Sequence, residues 1–135
     1  MVKILERALF TKLSSIENVD VFTARADDNI TGDFIVLQRT DSERWRHINA
    51  PDGIAQAKIQ IDCYSLDYWK AKEIAAEVEA MLDGFVGIVY YGDDSPQNFV
   101  DIAGVTMQND FDTFDNTEEP FLYRNLSNFT VTYKQ

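Results

Sequence analysis

Apolar and polar residues alternate strictly over 56–65. Ala57, Ile59, Ile61 and Cys63 fall on one side of an extended chain, and Lys58, Gln60, Asp62 and Tyr64 on the other. A period of two predicts a strand with one face buried and one face wet. The period then changes. Tyr68, Ala71, Ile74 or Ala75, Val78 and Leu82 recur at three and four residues, which predicts a helix with a single apolar stripe. Ser65 or Asp67 is suited to cap its start, and Gly84 stands where a helix commonly ends in a left-handed residue. A strand feeding directly into a helix that folds back on the same sheet makes a two-layer core.

The remaining pattern completes the sheet. Residues 2–15 predict a first helix, with Ile4 or Leu5, Ala8, Leu9 and Leu13 as its stripe. A short strand follows at Val19, Val21 and Thr23, then turn chemistry over 26–33 and a strand over 34–40. Residues 41–53 mix charge, Trp45 and a Pro-Asp-Gly turn. They read as the arm of a hairpin that pairs with 56–65 across that turn, in preference to a disordered loop. Short strands are expected over 86–91 and 100–111, the latter with a kink or bulge at Gly104. An acidic turn is expected over 112–120. A long last strand over 122–133 has apolar residues that change faces, which implies a bulge or partial cover on both sides. The expected fold class is α+β: a mostly antiparallel sheet of about five strands with two helices packed on one face, as a single domain over 1–135.

Composition changes this picture little. With 135 residues the chain can bury a core without disulfide or metal support, and its apolar content of 45% is ordinary. No run approaches the roughly twenty apolar residues of a membrane helix, and the charged N-terminus lacks a signal-peptide block, so a cytoplasmic, unprocessed chain is expected. Charge is more informative. The net charge is −11, which argues against autonomous binding to DNA or an anionic membrane. Residues 93–119 carry eight acids and no Lys or Arg, which predicts one acidic face.

Candidate chemistry is sparse. His47 is the only histidine and has no neighbouring Ser, Cys or acid cluster, so no catalytic triad or metal set is expected. Cys63 reads as a small buried hydrophobe. Asp110, Asp112 and Asp115 lack the Gly and closing Glu of a calcium loop, and Gly92-Asp93-Asp94 matches a polymerase signature in letters only. The Asn-x-Ser/Thr triplets at Asn29, Asn125 and Asn128 carry no weight without a secretory signal. No catalytic residue, cofactor or metal is expected. Arg44, Trp45, Arg46 and His47 are different: Trp and Arg are enriched at protein interfaces, and this run is either an interface arm or a Trp folded back on its own sheet.

Four stretches, in order, resemble the tail completion or tail terminator proteins of long-tailed bacteriophages. They are FIVLQR at 34–39, GIAQAKIQIDCY at 53–64, the helix at 68–85, and FDNTEEPFLYRNLSNFTV at 114–131. The departures are Asn125, where the family often has a second Arg, and a lengthened segment over 86–100. The resemblance implies a sheet with two helices and a non-enzymatic minor tail protein of a phage or prophage virion, assembled in the bacterial host cytoplasm. It implies a hexameric ring on the head-proximal end of the tail tube, which stops polymerisation and forms the head–tail joining surface. The implied partners are further copies of the chain, the tail tube protein and a head-completion protein, with no sequence-specific nucleic acid. A head-completion or stopper protein at the same junction is the alternative. An acidic lumen in such a ring would let DNA pass without sticking.

Overall fold

The alternating stretch predicted over 56–65 lies at the centre of the sheet. The computed structural model describes residues 5–17, 19–23, 33–47, 50–91, 98–115 and 122–134, the side chains of 41–47, 50–53 and 115 excepted. In chain order the elements are α1 (Leu5–Leu13), β1 (Asp20–Thr23), β2 (Phe34–His47), β3 (Ala50–Ser65), α2 (Tyr68–Leu82), β4 (Gly87–Tyr90), β5 (Phe99–Asp115) and β6 (Leu122–Lys134). They form one six-stranded sheet in the order β1-β2-β3-β6-β5-β4.

The α+β class and both helices agree with the sequence pattern; the sheet differs in three ways. It has six strands rather than about five, with the short runs expected near 19–23 and 86–91 forming its two edge strands, β1 and β4. It is mixed: β1 pairs parallel with β2, while every other neighbour is antiparallel. The expected hairpin exists, but its reversal falls between His47 and Ala50, which pair with each other. Pro51, Asp52 and Gly53 therefore belong to the start of β3 and not to the turn.

β5 also runs on through the stretch read as an acidic turn, ending at Asp115. Its register shifts between Ile102 and Gly104, where a bulge was expected, and again between Met107 and Asn109. β6 keeps an unbroken register with β3, so its apolar residues change faces because both faces are partly covered.

Both helices lie on the face made by Ala55, Ala57, Ile59, Ile61 and Cys63. This face joins Ile35 and Leu37 of β2, Phe129, Val131 and Tyr133 of β6, and Ile102 and Val105 of β5 in one buried cluster with Leu5, Leu9, Leu13, Ile74, Val78 and Leu82. Burying each large aliphatic or aromatic side chain there is worth about 1.5–3 kcal/mol. α1 touches β1 and β2 on one side and β4 and β5 on the other, so the sheet curls around it. α2 packs over β3, β6 and β5. Asp67 caps its start, its carboxylate accepting from the Trp69 N–H at 3.0 Å, and Ser65 Oγ accepts from the Asp67 N–H at 3.1 Å. At its end Gly84 adopts φ +78°, as the sequence predicted, and its N–H donates to the Val105 carbonyl at 2.8 Å.

Candidate assembly surface

Among the described residues, no helix covers the opposite face of the sheet. Its residues are mostly amides and hydroxyls: Gln38, Gln60, Asn128, Thr130 and Thr106, with Lys58 among them. One patch of it is nonetheless buried. Phe34 stacks on Tyr64 with ring centroids 4.7 Å apart, Phe22 meets Phe34 edge-on, and the Arg124 guanidinium lies 5.7 Å from the Tyr64 centroid. Beneath this cover Arg124 Nη2 donates to Asp62 Oδ2 at 2.8 Å, and the Gln60 amide donates to both Asp62 oxygens at 3.2 and 3.3 Å. Asp62 is only 4% exposed. A carboxylate this buried requires its partners, because an unpaired buried charge costs several kcal/mol.

A second polar tie fastens α2 to the sheet. The Asp112 carboxylate accepts from Asn125 Nδ2 at 2.8 Å, Lys72 Nζ at 3.0 Å and Tyr68 OH at 3.3 Å. Ser127 Oγ in turn donates to Asn125 Oδ1 at 3.1 Å. The Asn125 hydrogen bond, with help from Lys72 and Tyr68, holds the Asp112 carboxyl below its ordinary range, and the bond to Asp112 raises Lys72. Beside it a cleft of about 130 Å³ is lined by Lys72, Ala75, Glu79, Met107 and Asp110. Its acids are solvated, and no nucleophile stands by a base there. Burial, with the Asp62 charge adding to it, pushes the Cys63 thiol up to about 12, which keeps it protonated and inert. Among the described residues no group of three or more His, Cys, Asp or Glu is placed to hold a metal ion.

The acid expected on one face is divided. Asp101 pairs with Lys134 at 3.6 Å on the uncovered face, whereas Asp110 and Asp112 lie on the helix face. The other acids of 93–119 lie outside the described residues or side chains. On the helix side, the exposed Glu73, Glu77, Glu79 and Asp83 of α2 and its cap add to Asp110 and Asp112. Among the described residues, acid thus collects around α2.

Arg44, Trp45, Arg46 and His47 stand at the end of β2, with Arg44 opposite Ala55, Trp45 opposite Ile54 and His47 opposite Ala50. Their side chains lie outside the described residues, so the choice between an interface arm and a folded-back Trp lies there too. The sequence reading missed the exposed apolar residues elsewhere. Trp69 (70% exposed) and Leu66 stand at the start of α2, where Tyr68 meets Trp69 and Tyr123 edge-on and Phe114 lies tilted against Tyr123. Val86 (68%), Ile88 and Tyr90 line the outer edge strand β4, and Phe111 stands exposed on β5. Periodicity placed Trp69 on a helix and Val86, Ile88, Tyr90 and Phe111 on strands, and gave no sign that they were left uncovered.

No protein-family model matches the chain, and no curated protein matches it in sequence. Its fold matches a solved chain from the virion of a native gene transfer agent (GTA) particle, with a TM-score of 0.65 and 14% sequence identity. The match spans 97% of this chain and 95% of that one. The fold is therefore shared with a virion component almost end to end.

Proposed function

We propose that this chain is a structural virion-assembly protein that caps the head-proximal end of a phage tail tube as a hexameric ring. In this reading it terminates tail polymerisation, presents the head–tail joining surface and catalyses no reaction. The observation that carries the reading is the end-to-end fold match to a chain of a gene transfer agent virion. The four ordered stretches that resemble tail terminators, over 34–131, narrow it from virion component to terminator. The exposed apolar residues on β4, on β5 and around Trp69 are what a protein that acts by contact needs, since single exposed apolar side chains are ordinary but rows of them mark interfaces.

Two measurements test the proposal. Light scattering behind size exclusion is expected to find a species near six times the 15.5 kDa chain mass, roughly 90 kDa for a closed cyclic hexamer. Purified chain added to growing tail tube is expected to bind tube ends and halt elongation. Binding to a portal or adaptor complex with no effect on tube growth would replace the terminator role with that of a head-completion or stopper protein.

A further inference from the structure

We propose that copies of this chain join edge to edge through their sheets, each pair completing one shared strand from two half-strands. This rests on the ring reading above and specifies its contacts. The geometry comes from the strand register. The sheet has two long edge-neighbouring strands, β2 and β5, and each carries only a short outer strand. β1 covers Phe34–Leu37 of β2, and β4 covers Phe99–Ile102 of β5. Among the described residues, the rest of each outer edge has no strand partner.

The two short strands sit at opposite ends of the sheet. β1 lies level with residues 61–64 of β3, whereas β4 reaches the level of Ala55 and Ile54. Each edge therefore has a projecting half-strand and an open notch, and the notch on one edge is level with the half-strand on the other. When two copies stand edge to edge at the same level, β1 of one enters the notch beside β5 of its neighbour, and the neighbour's β4 enters the notch beside its β2. Residues 56–60 of β3 mark the interval between the two half-strands, about 17 Å of strand; on the β5 edge Asp83 and Gly84 fill it, bonding to the Met107 N–H and the Val105 carbonyl, so the notch there begins beyond Met107. β1 and β4 both run parallel to β2, so the two halves share one direction.

Two cross-sheet rows show that the side chains suit this contact. One row reads Phe22, Val36, Asp62, Leu126, Phe111 from edge to edge. The other reads Trp45, Ile54, Lys134, Asp101, Ile88. Each row ends in a large apolar residue at both edges, and Phe111 and Ile88 are 51% and 50% exposed. The same placement brings Phe111 to the register position beside Phe22 of the next copy and Ile88 to the one beside its Trp45. Both pairs form at once because the two rows are fixed relative to each other by β3, which they cross at Asp62 and Ile54. The contact joins unlike surfaces of neighbouring copies, the heterologous kind that generates a ring when the rotation between neighbours closes. Strand addition at an open edge supplies the backbone hydrogen bonds.

Paired cysteines test the proposal in the full chain. Facing residues of neighbouring strands have Cα atoms about 4.5–5.5 Å apart, within disulfide range, and the native Cys63 is fully buried. Under an added oxidant, Trp45→Cys with Ile88→Cys, and separately Phe22→Cys with Phe111→Cys, are expected to shift the chain from monomer to a ladder of covalent multimers. The mismatched combinations, Trp45→Cys with Phe111→Cys and Phe22→Cys with Ile88→Cys, are expected to remain monomeric. The two matched pairs use different strands, so a folding defect in one leaves the other informative. If the chain assembles by light scattering but mismatched pairs cross-link as readily as matched ones, edge pairing is wrong and the ring reading stands. If it neither assembles nor cross-links, even with purified tail tube present, both are wrong.

Discussion

The two faces of β3 are built on different principles. Its odd-numbered face, Ala55 to Cys63, is dry, aliphatic and closed by two helices. Its even-numbered face, Gln56 to Tyr64, is polar and uncovered, and its one deeply buried group is the Asp62 carboxylate held by Arg124 and Gln60. On the first face, shape and apolar area hold the fold together. On the second, hydrogen bonds keep the strand surface defined without a covering layer, which leaves that side and its rims open to other molecules. The difference teaches that one strand can close an apolar core with one side while its other side is held chiefly by polar contacts.

Substitutions that respect or violate this division are expected to differ in size. The largest effect belongs to the helix-covered face. Phe129→Ala is expected to cost about 3–5 kcal/mol in denaturant unfolding, since Phe129 is 1% exposed at the centre of the cluster. A loss below 1 kcal/mol would mean that the helices are not closed over this face.

Next is the ion pair of the other face. Arg124→Ala is expected to cost about 2–3 kcal/mol, at the low end for a broken buried pair, because the Arg124 side chain is itself 28% exposed. Asp62→Asn in the Arg124→Ala background is expected to recover part of that loss, because it removes the stranded charge. A double-mutant cycle that shows no coupling would sink the claim that the pair holds this face.

A smaller effect is expected where α2 is tied down. Asp112→Ala removes the acceptor of three donors and leaves the buried Asn125 amide short of a partner, for about 1–2 kcal/mol. The pH dependence has a definite sign. Asp112 is depressed in the folded state, so its contribution is present above the ordinary carboxylate value of about 3.9 and is lost as pH falls through the lower folded value. Lys72 is raised, so its share is present below the ordinary lysine value and is lost as pH rises through the higher folded one. Unfolding curves of the native chain and Asp112→Ala are expected to converge in acid, and parallel curves down to low pH would assign the tie to other groups. Ile88→Lys is expected to change monomer stability least, by about 0.5 kcal/mol or less, because Ile88 is half exposed. The same change is expected to abolish assembly, and retention of a full-size oligomer would remove β4 from the contact.

Much of the helix-covered face was legible from residue order alone. The alternation of Ala57 to Cys63, the stripe of Tyr68 to Leu82, the Asp67 cap and the left-handed Gly84 all depend on neighbours within a few residues. What failed depended on partners far along the chain. The Pro-Asp-Gly sequence has the chemistry of a turn, yet the register of β2 on β3 puts the reversal at His47 and Ala50. The pairing of Asp62 with Arg124 spans 62 residues, and that of Lys72 with Asp112 spans 40. No local pattern announces either.

By itself, then, the sequence determined which residues turn inward, where the second helix starts and stops, and that the chain carries an excess of acid with no catalytic motif. These follow from side-chain period, capping chemistry and charge, which are properties of short stretches. Only the tertiary structure decided that β1 joins in parallel, that the sheet curls around α1, and that Phe22 and Phe111, like Trp45 and Ile88, end the same rows at opposite edges. A strand's alternation fixes its two faces but not its neighbours or its level beside them. Those are set by pairing across the whole sheet, where a shift of a single residue would turn every side chain to the other face.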